Sequence, residues 1–125
     1  MRPLVINKTT TTPKVTLDKA EGIFKFEGVS RPEDVLKFYT PVFEWIQEYL
    51  QDPNQKTVVE FQLIYHNTAS AKIIVKLINQ FKKLAAANKE VEIKWYYREN
   101  DEDIKESGED YKSLIDIPFE LIEIA

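Results

Sequence analysis

The chain contains no cysteine. A disulfide scaffold, a thiolate metal site and a cysteine nucleophile are therefore excluded together. There is one histidine, His66, so no multi-histidine metal site can form, and any histidine-based triad would have to use that residue. The only glycines are Gly22, Gly28 and Gly108. They match none of the spacings of a phosphate-cradling loop, and no G-x-S-x-G elbow occurs. Long apolar runs are also missing, so no membrane-spanning helix is expected. The opening residues, Met1 to Asn7, are too poor in apolar side chains for a signal peptide, which makes the cytoplasm the expected address.

What is present is enough for a core. Hydrophobic residues make up 43% of the 125, and 12% are aromatic, a composition that folds instead of staying disordered. The length suits one domain, residues 1–125. Seventeen basic against 21 acidic residues leave a net charge of −4. A mildly acidic chain repels nucleic acid and anionic membranes, so neither is an expected partner.

Leu4 to Ile6 and Val15 to Leu17 flank a threonine tract, Thr9 to Thr12, which reads as a hairpin. Ile23 to Glu27 alternates, with Phe24 and Phe26 on one face. Ser30-Arg31-Pro32-Glu33 fits a capping box, so a helix is expected to start at Ser30. Val35, Phe38, Tyr39, Val42, Phe43, Ile46, Tyr49 and Leu50 follow at helical spacing. Pro41 lies inside this run and predicts a kink or two short helices. Val59, Phe61, Leu63 and Tyr65 then form the apolar row of a strand. A second helix has the stripe Ile73, Ile74, Leu77, Ile78, Phe81 and Leu84, with Lys72, Lys76, Lys82 and Lys83 off it. Val91, Ile93, Trp95 and Tyr97 mark another strand. Glu99 to Asp110 reads as an acidic loop, Tyr111 to Ile115 as a short helix, and Phe119 to Ile124 as a last strand.

Strand–helix alternation implies parallel pairing with right-handed crossovers. The strands alternate, whereas a sheet covered on both sides would be apolar throughout. The expected fold is therefore α/β, a two-layer α+β-like mixed sheet with both long helices on one face and the other face partly solvated.

Few residues carry chemistry. His66 stands at a strand end, where a half-buried or capping role is the plain reading. An EF-hand loop could begin at Asp101 and Asp103, but Lys105 and Glu106 occupy a ligand position and the glycine position, so it fails. The acidic segment reads as a solvated loop, with partner docking and then a weak Mg²⁺ site as its alternatives. Trp95-Tyr96-Tyr97 could stack bases, but core packing of Trp95 and Tyr97 with Tyr96 exposed suits the acidic charge better. No catalytic residue, metal or cofactor is assigned. The segment Tyr65-His66-Asn67-Thr68-Ala69-Ser70-Ala71-Lys72 joins an apolar strand to an apolar-striped helix. Its small polar residues suit a helix start as caps. The same position suits a phosphate on Thr68, because the positive end of a helix favours an anion and Lys72 lies about one turn on.

Together with Gly28-Val29-Ser30-Arg31-Pro32-Glu33, Pro41 with Trp45, Trp95-Tyr96-Tyr97, Gly108-Glu109-Asp110-Tyr111 and Pro118-Phe119, this segment resembles the SiaC-type regulatory phosphoproteins of bacteria. That family is similar in fold to the anti-sigma-factor antagonists, the STAS fold. The resemblance implies a non-enzymatic partner switch. A cognate serine/threonine kinase would phosphorylate Thr68, and a PP2C-type phosphatase would remove the phosphate. The unphosphorylated form would bind and activate an effector, a diguanylate cyclase in characterised systems. Ala69 and Ala71 leave Thr68 and Ser70 as the local hydroxyls. The expected partner-binding residues are Asn67, Thr68, Ala69, Ser70 and Lys72, with the acidic Glu99–Asp110 segment as a further candidate. Two readings from other classes stand beside this one. One is a small-molecule carrier or enzyme using the acidic loop and His66; the other is a constitutive interaction module in which Thr68 is only a cap.

Overall fold

Alternating apolar and polar residues put one row of side chains on each face of a strand. In the computed structural model, which describes Met1 to Ala125, such stretches form β1 (Leu4–Ile6), β2 (Lys14–Asp18), β3 (Ile23–Ser30), β4 (Lys56–His66), β5 (Glu90–Arg98) and β6 (Phe119–Ile124). Helices α1 (Val35–Tyr49), α2 (Thr68–Ala86) and α3 (Glu102–Leu114) follow β3, β4 and β5.

The six strands form one sheet in chain order. β1, β2 and β3 pair antiparallel, and β3 to β6 pair parallel. Each parallel step moves in the same direction across the sheet. Right-handed crossovers in a constant direction place every connecting helix on the same side. The topology therefore gives two layers, with the core between them. Phe24, Phe26, Val59, Phe61, Ile93 and Trp95 point into it from the sheet. Val42, Ile46 and Tyr49 meet them from α1, and Ile74, Leu77, Ile78 and Phe81 from α2. Phe26 stacks on Phe61 with ring centroids 5.0 Å apart. The other face carries polar side chains such as Lys25, Glu60, Gln62 and Lys94, and there Tyr96 donates to Glu60 at 2.6 Å.

Three local expectations are corrected. Ser30 does not begin α1; it ends β3, fully buried, and pairs with His66 of β4. Asp34 is the cap, its carboxylate accepting from the Lys37 N–H at 3.1 Å. The residue before a proline avoids helical backbone, so Arg31 and Pro32 belong to the loop. α1 is a single helix through Pro41, which removes the alternative of two short helices. Lys37 and Pro41 are both exposed, so the carbonyl that Pro41 cannot serve lies on the water side. Tyr65 leaves the inner face of β4, for a reason given below.

The acidic segment is helical. α3 spans Glu102–Leu114 with Asp101 as its cap, accepting from the Ile104 N–H at 3.0 Å. Its apolar row is Ile104, Gly108 and Tyr111, continuing to Ile115, all buried. The spacing was helical all along, but a glycine in the row hid it. Gly108 is there because Trp95 needs the space: a methyl group at that position would overlap the indole and Leu121. The indole in turn donates to the Ile104 carbonyl at 2.9 Å. Gly108→Ala should therefore destabilise the protein by about 1–3 kcal/mol through overpacking, although alanine is the better helix former. Urea titration read by tryptophan fluorescence would measure it, and a stabilised variant would refute the close fit.

Candidate phosphoacceptor site

The site is built where β4 loses register. β3 and β4 pair in step from Phe24–Val59 to Gly28–Leu63, but Val29 then pairs with Tyr65, leaving Ile64 without a partner. A single unpaired residue advances the alternation by one. Leu63 is buried, Ile64 and Tyr65 are both exposed, at 55% and 50%, and the next residue, His66, turns inward. Gly28 borders the irregularity with φ +114°, a backbone that side chains other than hydrogen rarely permit.

His66 packs edge-on against Trp95, ring centroids 5.9 Å apart. Its Nε2 shares a 2.8 Å hydrogen bond with the Tyr111 hydroxyl, which ties α3 to the end of β4. Its Nδ1 is buried with no partner. Burial holds the ring below the ordinary imidazole pKa. Burial first, and the Asp110 charge second, push the Tyr111 hydroxyl up to about 12. At neutral pH the pair is thus uncharged. A protonated ring would carry an N–H on both nitrogens, one of them without an acceptor.

A second buried bond network lies on the other side of the strand end. The Tyr39 hydroxyl and Ser30 Oγ are 2.7 Å apart, and Ser30 donates to Ser70 Oγ at 2.8 Å. Because the Ser30 proton goes to Ser70, Tyr39 donates to Ser30. Burial pushes the Tyr39 pKa up to about 12 despite the opposing effect of the Ser30 hydrogen bond. The Asn67 N–H donates to the Ser30 carbonyl at 3.1 Å. These bonds fix the first turn of α2 against β3 and α1.

Asn67 caps α2. Its side-chain oxygen accepts from the Ser70 N–H at 2.9 Å, and its carbonyl accepts from the Ala71 N–H at 2.9 Å. Thr68 is the first helical residue and is exposed, as are Ala69 and Lys72. The first N–H groups of a helix have no intrahelical acceptor, so those of Thr68 and Ala69 remain at its positive end. Of the small polar residues read as caps, Asn67 is the one that caps α2, and Thr68 does not. One expectation changes here. Ser70 does not belong to the contact surface, because it is fully buried and bonded to Ser30. Sequence reasoning missed Ser30 and Tyr39, whose only signal was a serine at the end of an alternating strand. His66 and the acidic residues of the rival reading are not brought together: His66 faces the core, and no three carboxylate or imidazole groups converge as a metal site would need.

An exposed hydroxyl at a helix start, beside two exposed apolar residues, on a sheet covered on one face, is what this small two-layer α/β domain presents. The family model described as SiaC family regulatory phosphoprotein matches residues 6–124. The chain belongs to that family, whose members are regulators and not enzymes. An uncharacterised protein of Pseudomonas aeruginosa strain UCBPP-PA14 is 25% identical over 119 residues, covering 95% of this chain and 94% of that one. Two solved structures share the fold. SiaC of Pseudomonas aeruginosa has a TM-score of 0.90 at 23% identity, covering 99% of this chain and 100% of its own. SiaC in complex with the diguanylate cyclase SiaD, which it activates, has a TM-score of 0.90 at 24% identity, covering 97% and 99%. No helix here is long and apolar enough to cross a membrane.

Two stability tests follow from this geometry. Asn67→Ala should cost about 1 kcal/mol through loss of the cap, while Thr68→Ala should stay within about 0.5 kcal/mol of the parent, as an exposed substitution does. Equal losses in denaturant titrations would contradict the assignment of the cap. The second test concerns pH. Unfolded chains bind the histidine proton at about pH 6.5, above the depressed value of folded His66. Its stabilising contribution is therefore complete above pH 6.5 and falls as pH drops through that value towards the folded pKa. Urea midpoints between pH 7.5 and 5 should decline more steeply for the parent than for His66→Phe; parallel slopes would show that His66 takes no part.

Proposed function

We propose that this chain is a phosphorylation-controlled partner switch with Thr68 as its phosphate acceptor. The unphosphorylated form binds and activates a diguanylate cyclase, a cognate kinase ends the complex by modifying Thr68, and a PP2C-type phosphatase restores it. One observation carries the choice of residue. Thr68 is exposed at the first position of α2, while Ser70, two residues on, is fully buried in a hydrogen-bonded network. Only the threonine can reach a kinase without unfolding the turn. Asn67 already caps the helix, so the hydroxyl of Thr68 is not needed for that purpose. The partner reading is supported by the relative SiaC, which occurs in complex with a cyclase that it activates.

The contact surface consists of Asn67, Thr68, Ala69 and Lys72, extended by the exposed Ile64 and Tyr65. Two effects of a phosphate compete there. The helix end and Lys72 would each stabilise it by about 0.3–1 kcal/mol at an exposed site. A partner packed over Thr68 would have to desolvate nearly two charges, and an unpaired buried charge costs on the order of 3–5 kcal/mol. The second effect is larger, so phosphorylation releases the partner and leaves the fold intact. Thr68→Ala should bind the cyclase at parent affinity and stay active in the presence of the kinase. Thr68→Asp should weaken binding incompletely, since a carboxylate brings one charge and two oxygens. The measurement is cyclase titration before and after kinase treatment, with the modified residue mapped by mass spectrometry. Phosphate found elsewhere, or affinities of the two forms within about twofold, less than 0.5 kcal/mol, would end this reading.

A further inference from the structure

The face of the sheet that the helices leave open is not flat. Near the carboxyl ends of β4 and β5 it holds a cavity of about 530 Å³, within the roughly 300–1,000 Å³ of small-molecule sites. In open α/β sheets, the carboxyl end is also where ligands collect. The strand alternation supplies the lining: Lys14 from β2, Gln62 and Ile64 from β4, Tyr96 and Arg98 from β5. Lys8, before β2, adds a third cation.

Cations outnumber carboxylates in the lining, Lys8, Lys14 and Arg98 against Glu27 and Asp101. Neither of the protein's two ion pairs, Lys19–Asp52 and Lys25–Glu27, involves Lys8, Lys14 or Arg98. Two carboxylates border the cavity, and both are engaged. Glu27 lies 3.8 Å from Lys25, and Asp101 accepts the Ile104 N–H at 3.0 Å as the cap of α3. Three cations without an ion-pair partner thus line a hollow in a chain whose net charge is −4. The rest of the lining includes Tyr96 and Ile64 beside the polar Asn7 and Gln62. Tyr96 is held in place by its hydroxyl's bond to Glu60, and Ile64 is the unpaired residue of the β4 irregularity.

We propose that this cavity binds a small organic phosphate bearing a flat ring, the chemistry of a nucleoside phosphate. Arg98 offers a planar fork to phosphate oxygens and the lysines offer point charges. The Tyr96 ring and Ile64 give the flat part an apolar seat, since base-on-aromatic stacking tolerates any base. An occupant would press on Ile64, four residues before Thr68 in β4 and the turn that follows it. The site does not depend on the phospho-switch reading.

The test uses the whole chain and three probes, GMP, guanosine and inorganic phosphate, titrated at low salt by calorimetry and by amide chemical shifts. GMP should bind with a Kd below about 1 mM and shift the amides of residues 62–64 and 96–98. Lys14→Gln combined with Arg98→Gln should weaken GMP at least about tenfold, as loss of charge-assisted bonds does, with the melting temperature unchanged. Tyr96→Leu should weaken GMP and leave phosphate binding as it was. Lys56→Gln, at the opposite end of β4, should change nothing. The proposal is overturned by any of three results. One is no saturable GMP binding up to about 5 mM. Another is binding indifferent to Lys14 and Arg98. The third is inorganic phosphate binding as tightly as GMP, which would leave an adventitious anion site only.

Discussion

When β4 passes Ile64 without a partner on β3, every later side chain changes face. Had the pairing stayed in step, Tyr65 would point into the core and His66 towards solvent. The skipped residue instead delivers His66 to Tyr111 and Trp95, and it leaves Ile64 and Tyr65 exposed side by side. It also brings Asn67 to the Ser30 carbonyl, where its own N–H is satisfied and its side chain is free to cap α2. Bulges bend a strand and re-aim side chains. Here one residue of slippage separates an inward clamp from an outward surface within five positions.

The sheet order has a consequence of similar reach. Because β3 to β6 follow each other in one direction, all three helices must share a face. The helical layer then encloses the aromatic core, and the polar face stays open. A doubly wound sheet would have hidden that face, and its strands would have been apolar on both sides. In this protein Lys25, Glu60, Gln62 and Tyr96 occupy it. The helix start with Thr68 and the open face are reached from the same carboxyl end of the parallel strands.

Much of this was legible in the residues. The stripes of α1 and α2 and the alternation of β3 and β5 obey simple periods, and the last strand begins right after Pro118 as read. Thr68 and Asn67 stand at the predicted junction. The failures share a cause: contacts distant in sequence overrode a local signal. Ser30 looks like a helix cap because serine often is one, yet its hydroxyl is claimed by Tyr39 and by Ser70, nine and 40 residues away. Gly108 looks like a loop residue until the Trp95 ring is set against it. Tyr65 follows the alternation of its own strand and is displaced only because β3 pairs with it irregularly. None of these partners can be inferred from spacing along the chain.

The division of labour between two neighbouring hydroxyls follows from solvation. A phosphate on Ser70 would sit where the side chain has no access to water, among Ser30, Tyr39 and the core. Burying a charge of nearly two units there would cost several kcal/mol even after partial pairing, comparable to the stability of a whole small domain. The same group on Thr68 would stay hydrated at a helix end that attracts anions. The buried serine therefore serves best as an anchor, holding the turn so that the threonine beside it is presented in a fixed geometry. Modification of that threonine would alter charge and shape on the surface without drawing on the energy that holds α2 to the sheet. The proposed switch would change what can bind while the fold beneath it stays as it was.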